Sequence, residues 1–267
     1  MLDNIIIGQY VPRDSIIHRL DPRSKFLCVL IFMVFIFTTR DAVALTVGAT
    51  ITTLAVILAN VPWRFFLKGL RFIFILILIT GTLQLLLNRT GTVLVDAGFI
   101  TIYTGGVIEG ALIAFRLLML IVTATLLTLT TPPIDLTDGL ERLLSPAKRL
   151  NVPTHELALM MSIALRFIPT LLGETSKIIH AQMARGAAFV HGSIWQRLKA
   201  VTPILIPLFV QSFQRAEDLA TAMEARGYEG GDHRTKYREL TWQTKDTIAL
   251  AIYVGFALIT IMGGLLW

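Results

Sequence analysis

Charge is scarce in this chain. Of 267 residues, 16% are charged and 54% are hydrophobic, where a soluble domain carries about 25% charged residues. The missing charge shows as long apolar runs, so the solvent for much of the chain is lipid. The runs approach the roughly 20 residues a helix needs to cross a bilayer. Helices are the expected spanning elements, because lipid cannot satisfy free backbone groups. The alternation of an outer-membrane barrel strand is missing.

Cysteine is nearly absent. Cys28 stands alone, which excludes an intramolecular disulfide and a cysteine-based metal site. His18, His155, His180, His191 and His233 have no metal-binding spacing, and His155-Glu156 lacks the histidine four residues on that a zinc-protease helix carries. No metal or cofactor is expected. There is no G-x-x-x-x-G-K-[ST] phosphate loop and no G-x-S-x-G elbow. The one close acidic group, Asp135, Asp138 and Glu141, falls where a helix N-terminus favours acids. The chain is therefore expected to be no enzyme.

What is present reads as an all-α integral membrane protein with about five transmembrane helices and a cytoplasmic domain of about three. The spans are expected at about Lys25–Thr39, Ala42–Ala59, Leu70–Leu87, Val107–Leu129 and Thr247–Trp267. A polar segment with Asp3, Arg13, Asp14, Arg19, Asp21 and Arg23 precedes the first apolar run, unlike a cleavable signal peptide. The first span is expected to serve as the targeting signal. Net charge is +6, and no basic patch is interleaved with aromatics, so no nucleic-acid partner is expected.

Lysine and arginine set the orientation. Arg13, Arg19, Arg23 and Lys25 precede the first span, and Arg64, Lys68 and Arg71 lie between the second and third. The first and third loops hold Arg40 and Arg89, whereas Thr130–Lys245 holds fourteen of the 24 basic residues. The N-terminus and this long segment are expected in the cytoplasm and the C-terminus outside. The resulting division is a membrane domain over 1–130, a cytoplasmic domain over 131–243 and a last span over 244–267.

In the long segment Pro132 and Pro133 end the fourth span. A short helix follows, with Asp135 or Thr137 as cap and Leu140, Leu143 and Leu144 as its apolar face. A second helix starts at Pro153-Thr154 and reaches Arg185. A third is expected to begin after interruptions at Pro203 and Pro207 and to end at Arg226. The apolar runs Leu157–Leu165 and Val201–Val210 are short and flanked by charge, which predicts buried or interfacial helices rather than crossings.

The sharpest feature is an internal repeat. Residues 181–186 read AQMARG and residues 222–227 read AMEARG. Alanines three apart share a helix face, so Ala181 with Ala184, and Ala222 with Ala225, leave bare strips that a partner can approach closely. Arg185 and Arg226 follow as planar donors suited to a carboxylate. Gly186 and Gly227 stop the helices. A single Arg-Gly end is an ordinary helix C-terminus. Two copies with the same preceding alanine instead suggest two similar sockets.

These tips resemble the paired Ala-Arg-Gly motifs of the transmembrane (T) component of energy-coupling factor (ECF) transporters, the EcfT/CbiQ family. The segment LDPRSK (Leu20–Lys25), the stretch PPIDLTDGLERLL (Pro132–Leu144) and the run ELALMMSIALRFIPTLLGE (Glu156–Glu174) are similar to that family as well. The resemblance implies a coupling subunit in the bacterial plasma membrane. It would join two ABC-type ATPases to a small membrane-embedded S component that binds a vitamin or metal ion. It also implies that the paired motifs dock into the ATPases, and that this chain binds neither ATP nor substrate as its main task.

Arg116 lies within the fourth span, and an intramembrane charge is a functional candidate. The competing expectation is structural: pairing with Glu109, seven residues earlier on the same face, or with Gln84 of the third span. Gly81 is expected to let helices approach closely. Two other classes compete with a coupling subunit. A polytopic membrane enzyme would need acidic or metal-ligating groups at the membrane face. An autonomous carrier would need broken helices with polar residues at mid-membrane.

Overall fold

The computed structural model describes residues 10–39, 42–96, 101–146, 153–186, 194–230 and 240–266. Asp3, Arg40, His191, His233 and Trp267, which the sequence reading uses, lie outside them. The described residues form eight helices: α1 (Pro22–Thr38), α2 (Ala42–Ala59), α3 (Trp63–Leu87), α4 (Thr104–Thr130), α5 (Pro133–Leu144), α6 (Thr154–Ala184), α7 (Ile194–Ala225) and α8 (Thr244–Leu266). The chain divides into two compact units, one of residues 8–139 with 240–267, the other of residues 140–239 with 1–7.

In the first unit α1 packs on α4 and α8, and α4 on α2 and α3. One apolar cluster centres on Phe32, Phe35 and Ile36 of α1, with Ala44 and Leu45 of α2. Phe35 meets Phe256 of α8 with ring centroids 4.5 Å apart. A second cluster joins Ala55 and Ala59 of α2 to Leu126 and Leu129 of α4. The α3–α4 pair is close because α4 carries Gly106 and Gly110. A Cβ on Gly106 would lie 3.2 Å from the carbonyls of Gln84, Leu85 and Asn88. This small-xxx-small spacing lets helix backbones touch in lipid. The close approach expected at Gly81 exists, yet the glycines that permit it stand on α4.

The LDPRSK segment makes physical sense here. Asp21 caps α1, accepting from the Arg23 backbone amide, with Pro22 at the first helical position. Asp246, at the start of α8, is fully buried. Its carboxylate accepts from the Asp21 amide at 2.7 Å, Ser24 Oγ at 2.9 Å and the Gln243 amide at 2.8 Å. Lys25 donates through Nζ to the carbonyls of His18 and Thr130 and to Thr131 Oγ1. The N-terminal segment, α1, the end of α4 and the start of α8 are thus tied at one end of the bundle.

Several expectations change. Strands Val93–Asp96 and Thr101–Tyr103 pair antiparallel between α3 and α4, so the chain is not wholly helical. Their β-branched and aromatic residues suit a strand. Helix α7 is continuous through Pro203 and Pro207. Each proline removes one backbone donor, and amphipathic sequence on both sides keeps the helix going. Asp135 and Thr137 lie inside α5 and do not cap it. Asp135 sits in the first turn, and Thr137 donates back to the Pro133 carbonyl. Among the described residues, two helices are long and apolar enough to cross a membrane, α4 and Glu156–Ala184, while Val43–Ala59 and Phe74–Leu87 are shorter apolar helices. Helix α6 meets that measure because apolar residues resume beyond Arg166.

Candidate functional site

The two repeat tips end α6 and α7 by the same device. At the end of α6 the Arg185 amide donates to the Gln182 carbonyl and the Gly186 amide to the Met183 carbonyl. At the end of α7 the Arg226 and Gly227 amides bond to the Met223 and Glu224 carbonyls, and Tyr228 adds a bond to Met223. Gly186 has φ +86° and Gly227 φ +72°, the left-handed stop that glycine tolerates. Nothing lies within 4 Å of where a Cβ would sit on either glycine. Ala181, Ala184, Arg185, Ala222, Ala225 and Arg226 are all exposed. The bare strips, the guanidinium and the stop therefore stand together on each tip, open to a partner.

Residues the sequence reading did not single out hold the two helices to each other. Arg215 of α7 donates to Glu174 of α6. The pair is 41 residues apart, the offset that superimposes AQMARG on AMEARG. Glu174 and Arg215 therefore occupy equivalent positions in the repeat. Extending the alignment upstream for paired charges was the signal that could have found them. Glu174 is four-fifths buried, and its second carboxylate oxygen has no hydrogen-bond partner among the described residues.

Both helices also expose large apolar side chains. Leu157, Met160 and Met161 of α6 are about half exposed, as are Leu205, Ile206, Phe209, Val210 and Phe213 of α7. Phe209 and Phe213 pack with ring centroids 4.9 Å apart and ring planes tilted by 57°. An apolar patch left open on this scale marks a partner or membrane surface.

Arg116 has a different partner from those expected. Its guanidinium donates to the Thr39 carbonyl at the end of α1, at 2.5 Å. Glu109 is exposed and Gln84 half-buried, and neither bonds Arg116. A helix C-terminus has free carbonyls and a negative dipole end. Thr39 thus supplies one acceptor in place of Glu109 or Gln84, while Arg116 Nε is buried without a hydrogen-bond partner among the described residues. Among the described residues no group of three or more histidine, cysteine or acidic side chains could hold a metal ion.

Comparison with known proteins places this architecture. The family described as CbiQ, cobalt transport protein, matches residues 13–237. The energy-coupling factor transporter transmembrane protein EcfT of Bacillus selenitireducens is 59% identical over 257 residues, 96% of each chain. The protein of the same name from Bacillus subtilis is 49% identical over 257 residues, 96% of this chain and 97% of that one. That from Clostridium kluyveri is 46% identical over 268 residues, 100% of this chain and 99% of that one. The chain belongs to the CbiQ family, as a transmembrane component of an energy-coupling factor transporter.

Proposed function

We propose that this chain is the coupling subunit of an ECF-type importer in the bacterial plasma membrane. It links two ABC-type ATPases to a substrate-binding S component and transmits ATP-driven movement for uptake of a vitamin or other micronutrient. It carries out no catalysis itself. Five helices span the membrane, α1 to α4 and α8, with the N-terminus and residues 131–243 in the cytoplasm and the C-terminus outside. The lysine and arginine distribution supports this orientation. Helix α6, despite its apolar length, is read as non-crossing because Arg166, Glu174 and Lys177 punctuate it.

The observation that carries the proposal is the pair of tips built on the same A-x-x-A-R-G pattern. Each presents one arginine beyond a strip of alanines and before a left-handed glycine. Arg185 and Arg226 each enter an acidic groove on a different ATPase. The exposed apolar faces of α6 and α7 form the platform for the S component.

The test is co-purification of the ATPases and substrate uptake for Arg185→Ala, Arg226→Ala and the double variant. Removing one partner of a desolvated charge pair costs about 2–5 kcal/mol of binding, so each single change weakens assembly and the pair abolishes it. Lysine rescues poorly, since it lacks the planar fork. Normal assembly and uptake in the double variant would reduce both tips to ordinary helix caps.

A further inference from the structure

The first unit contains an apolar groove of about 330 Å³, open along Leu54, Ile248 and Ile252, that the transport reading does not use. It lies among α1, α2, α4, α8 and the segment before α1, lined by residues such as Val29, Leu54, Leu126 and Ile252. The volume is within the range of small-molecule sites. Its position follows from the ends that line it: the start of α1, the end of α2, the end of α4 and the start of α8. These all belong to one end of the bundle, the end that carries Arg13, Arg19, Arg23 and Lys245.

The mouth is polar and basic. A second hollow, of about 260 Å³, adjoins the first and shares Ile16 and Lys245 with it; Ser15 and Arg19 complete its rim with Asp14. Lys245 is exposed and has no ion-pair partner among the described residues. Arg19 lies 3.6 Å from Asp14 in an exposed pair, a kind that contributes little and exchanges readily. Lys25, deeper in, already directs Nζ to three protein oxygens and serves the fold. The site is therefore a greasy slot with free positive charge only at its entrance.

We propose that this slot holds one acyl chain of an anionic phospholipid, whose phosphate rests against Lys245 with Arg19 beside it. The apolar lining matches a hydrocarbon chain, and the entrance matches a negative headgroup at the membrane surface. The slot offers few polar groups to orient a polar micronutrient. Placement in the inner leaflet rests on the topology proposed above; the binding itself does not.

The test uses the full chain in nanodiscs of mixed phosphatidylglycerol and phosphatidylcholine, followed by extraction into detergent and quantification of retained lipid. The wild-type chain retains phosphatidylglycerol in preference to phosphatidylcholine. Lys245→Gln, on an exposed helix end that needs no repacking, lowers that preference about fivefold, the effect of one basic residue at a membrane surface. Ala249→Trp fills the slot and lowers retention with the entrance charge intact. Equal retention of the two lipids, or a preference unchanged in Lys245→Gln, would reduce the effect to bulk lipid around the helices and overturn the site. Glycerol phosphate competing as well as the whole lipid would make it a headgroup site without a chain slot. Loss of the retained lipid when the ATPases and S component assemble would assign the slot to a protein partner. Both results count against the proposal.

Discussion

The helical bundle of the first unit and the α6–α7 pair of the second place their polar side chains in opposite ways. In the bundle, polar groups turn inward and find each other. Asp246, Ser24 and Thr130 are essentially inaccessible and hydrogen-bonded. Among the described residues of the α6–α7 pair, the single ion pair lies between the helices, and the arginines of the tips are exposed. Apolar groups do not follow that split: Phe32, Phe35 and Ile36 are buried, yet Phe37, Val43, Ile57 and Phe74 of the same bundle are as exposed as Phe209 and Phe213 of α7. The first region ties buried polar groups into a knot at one end of its bundle, whereas the second leaves its tip arginines exposed, and its sequence carries the more specific motif.

Substitutions should separate the two regions by what they damage. The largest effect on folding is expected for Asp246→Ala. It strands two backbone amides, those of Asp21 and Gln243, while Ser24 Oγ keeps the Asp21 carbonyl as acceptor; each unsatisfied buried group costs about 1–3 kcal/mol. The thermal midpoint of the purified chain should fall steeply, whereas Arg185→Ala and Arg226→Ala should leave it unchanged. An Asp246→Ala chain as stable as wild type would erase the contrast between the regions.

A middle-sized effect is expected at the ion pair of the second region. Arg215→Ala leaves a largely buried carboxylate with its remaining partner gone, at a cost of about 1–3 kcal/mol. The exchange Glu174→Arg with Arg215→Glu should recover most of it, because the two positions are equivalent in the repeat. Measured by thermal unfolding and protease sensitivity of residues 153–230, a double exchange as damaged as either single change would mean that the pair only accompanies the packing.

The smallest effect sharpens the description of the bundle. His18 bonds through Nε2 to the Val11 carbonyl and through Nδ1 to Ser15 Oγ. Burial holds its pKa below the ordinary 6.5, against the opposing pull of the Val11 hydrogen bond. The folded value lies below the unfolded one, so its stabilising contribution is complete above 6.5. It is lost as pH falls from there through the folded value. Melting of wild type and His18→Gln should differ most above pH 6.5 and converge as pH falls below it. A constant difference across that window would remove His18 from the knot.

Much of this fold is legible in the residues. Apolar runs locate α1, α2, α4 and α8, and Pro153-Thr154 and the Arg-Gly ends bound α6 to within a residue. Long-range partners are not legible. Asp246 meets Asp21 across 225 positions, and no local pattern marks that encounter. Arg116 illustrates another limit: sequence offers side chains as partners, while its partner is the free carbonyl of Thr39 at a helix end. Proline misleads at Pro203 and Pro207 because its local cost is visible and the gain from continuing the helix is not. The tips are legible because they recur, and recurrence does not depend on packing.

The position of the ion pair adds a mechanical consequence. Glu174 precedes Arg185 by eleven residues, and Arg215 precedes Arg226 by eleven. At 1.5 Å per residue the two arms beyond the pin are matched, at about 16 Å each. A rotation about the pin therefore carries both fingertips through equal arcs, with neither geared above the other. Matched length also means matched phase. One residue inserted into a single arm would swing its arginine round by about 100° and leave the other in register.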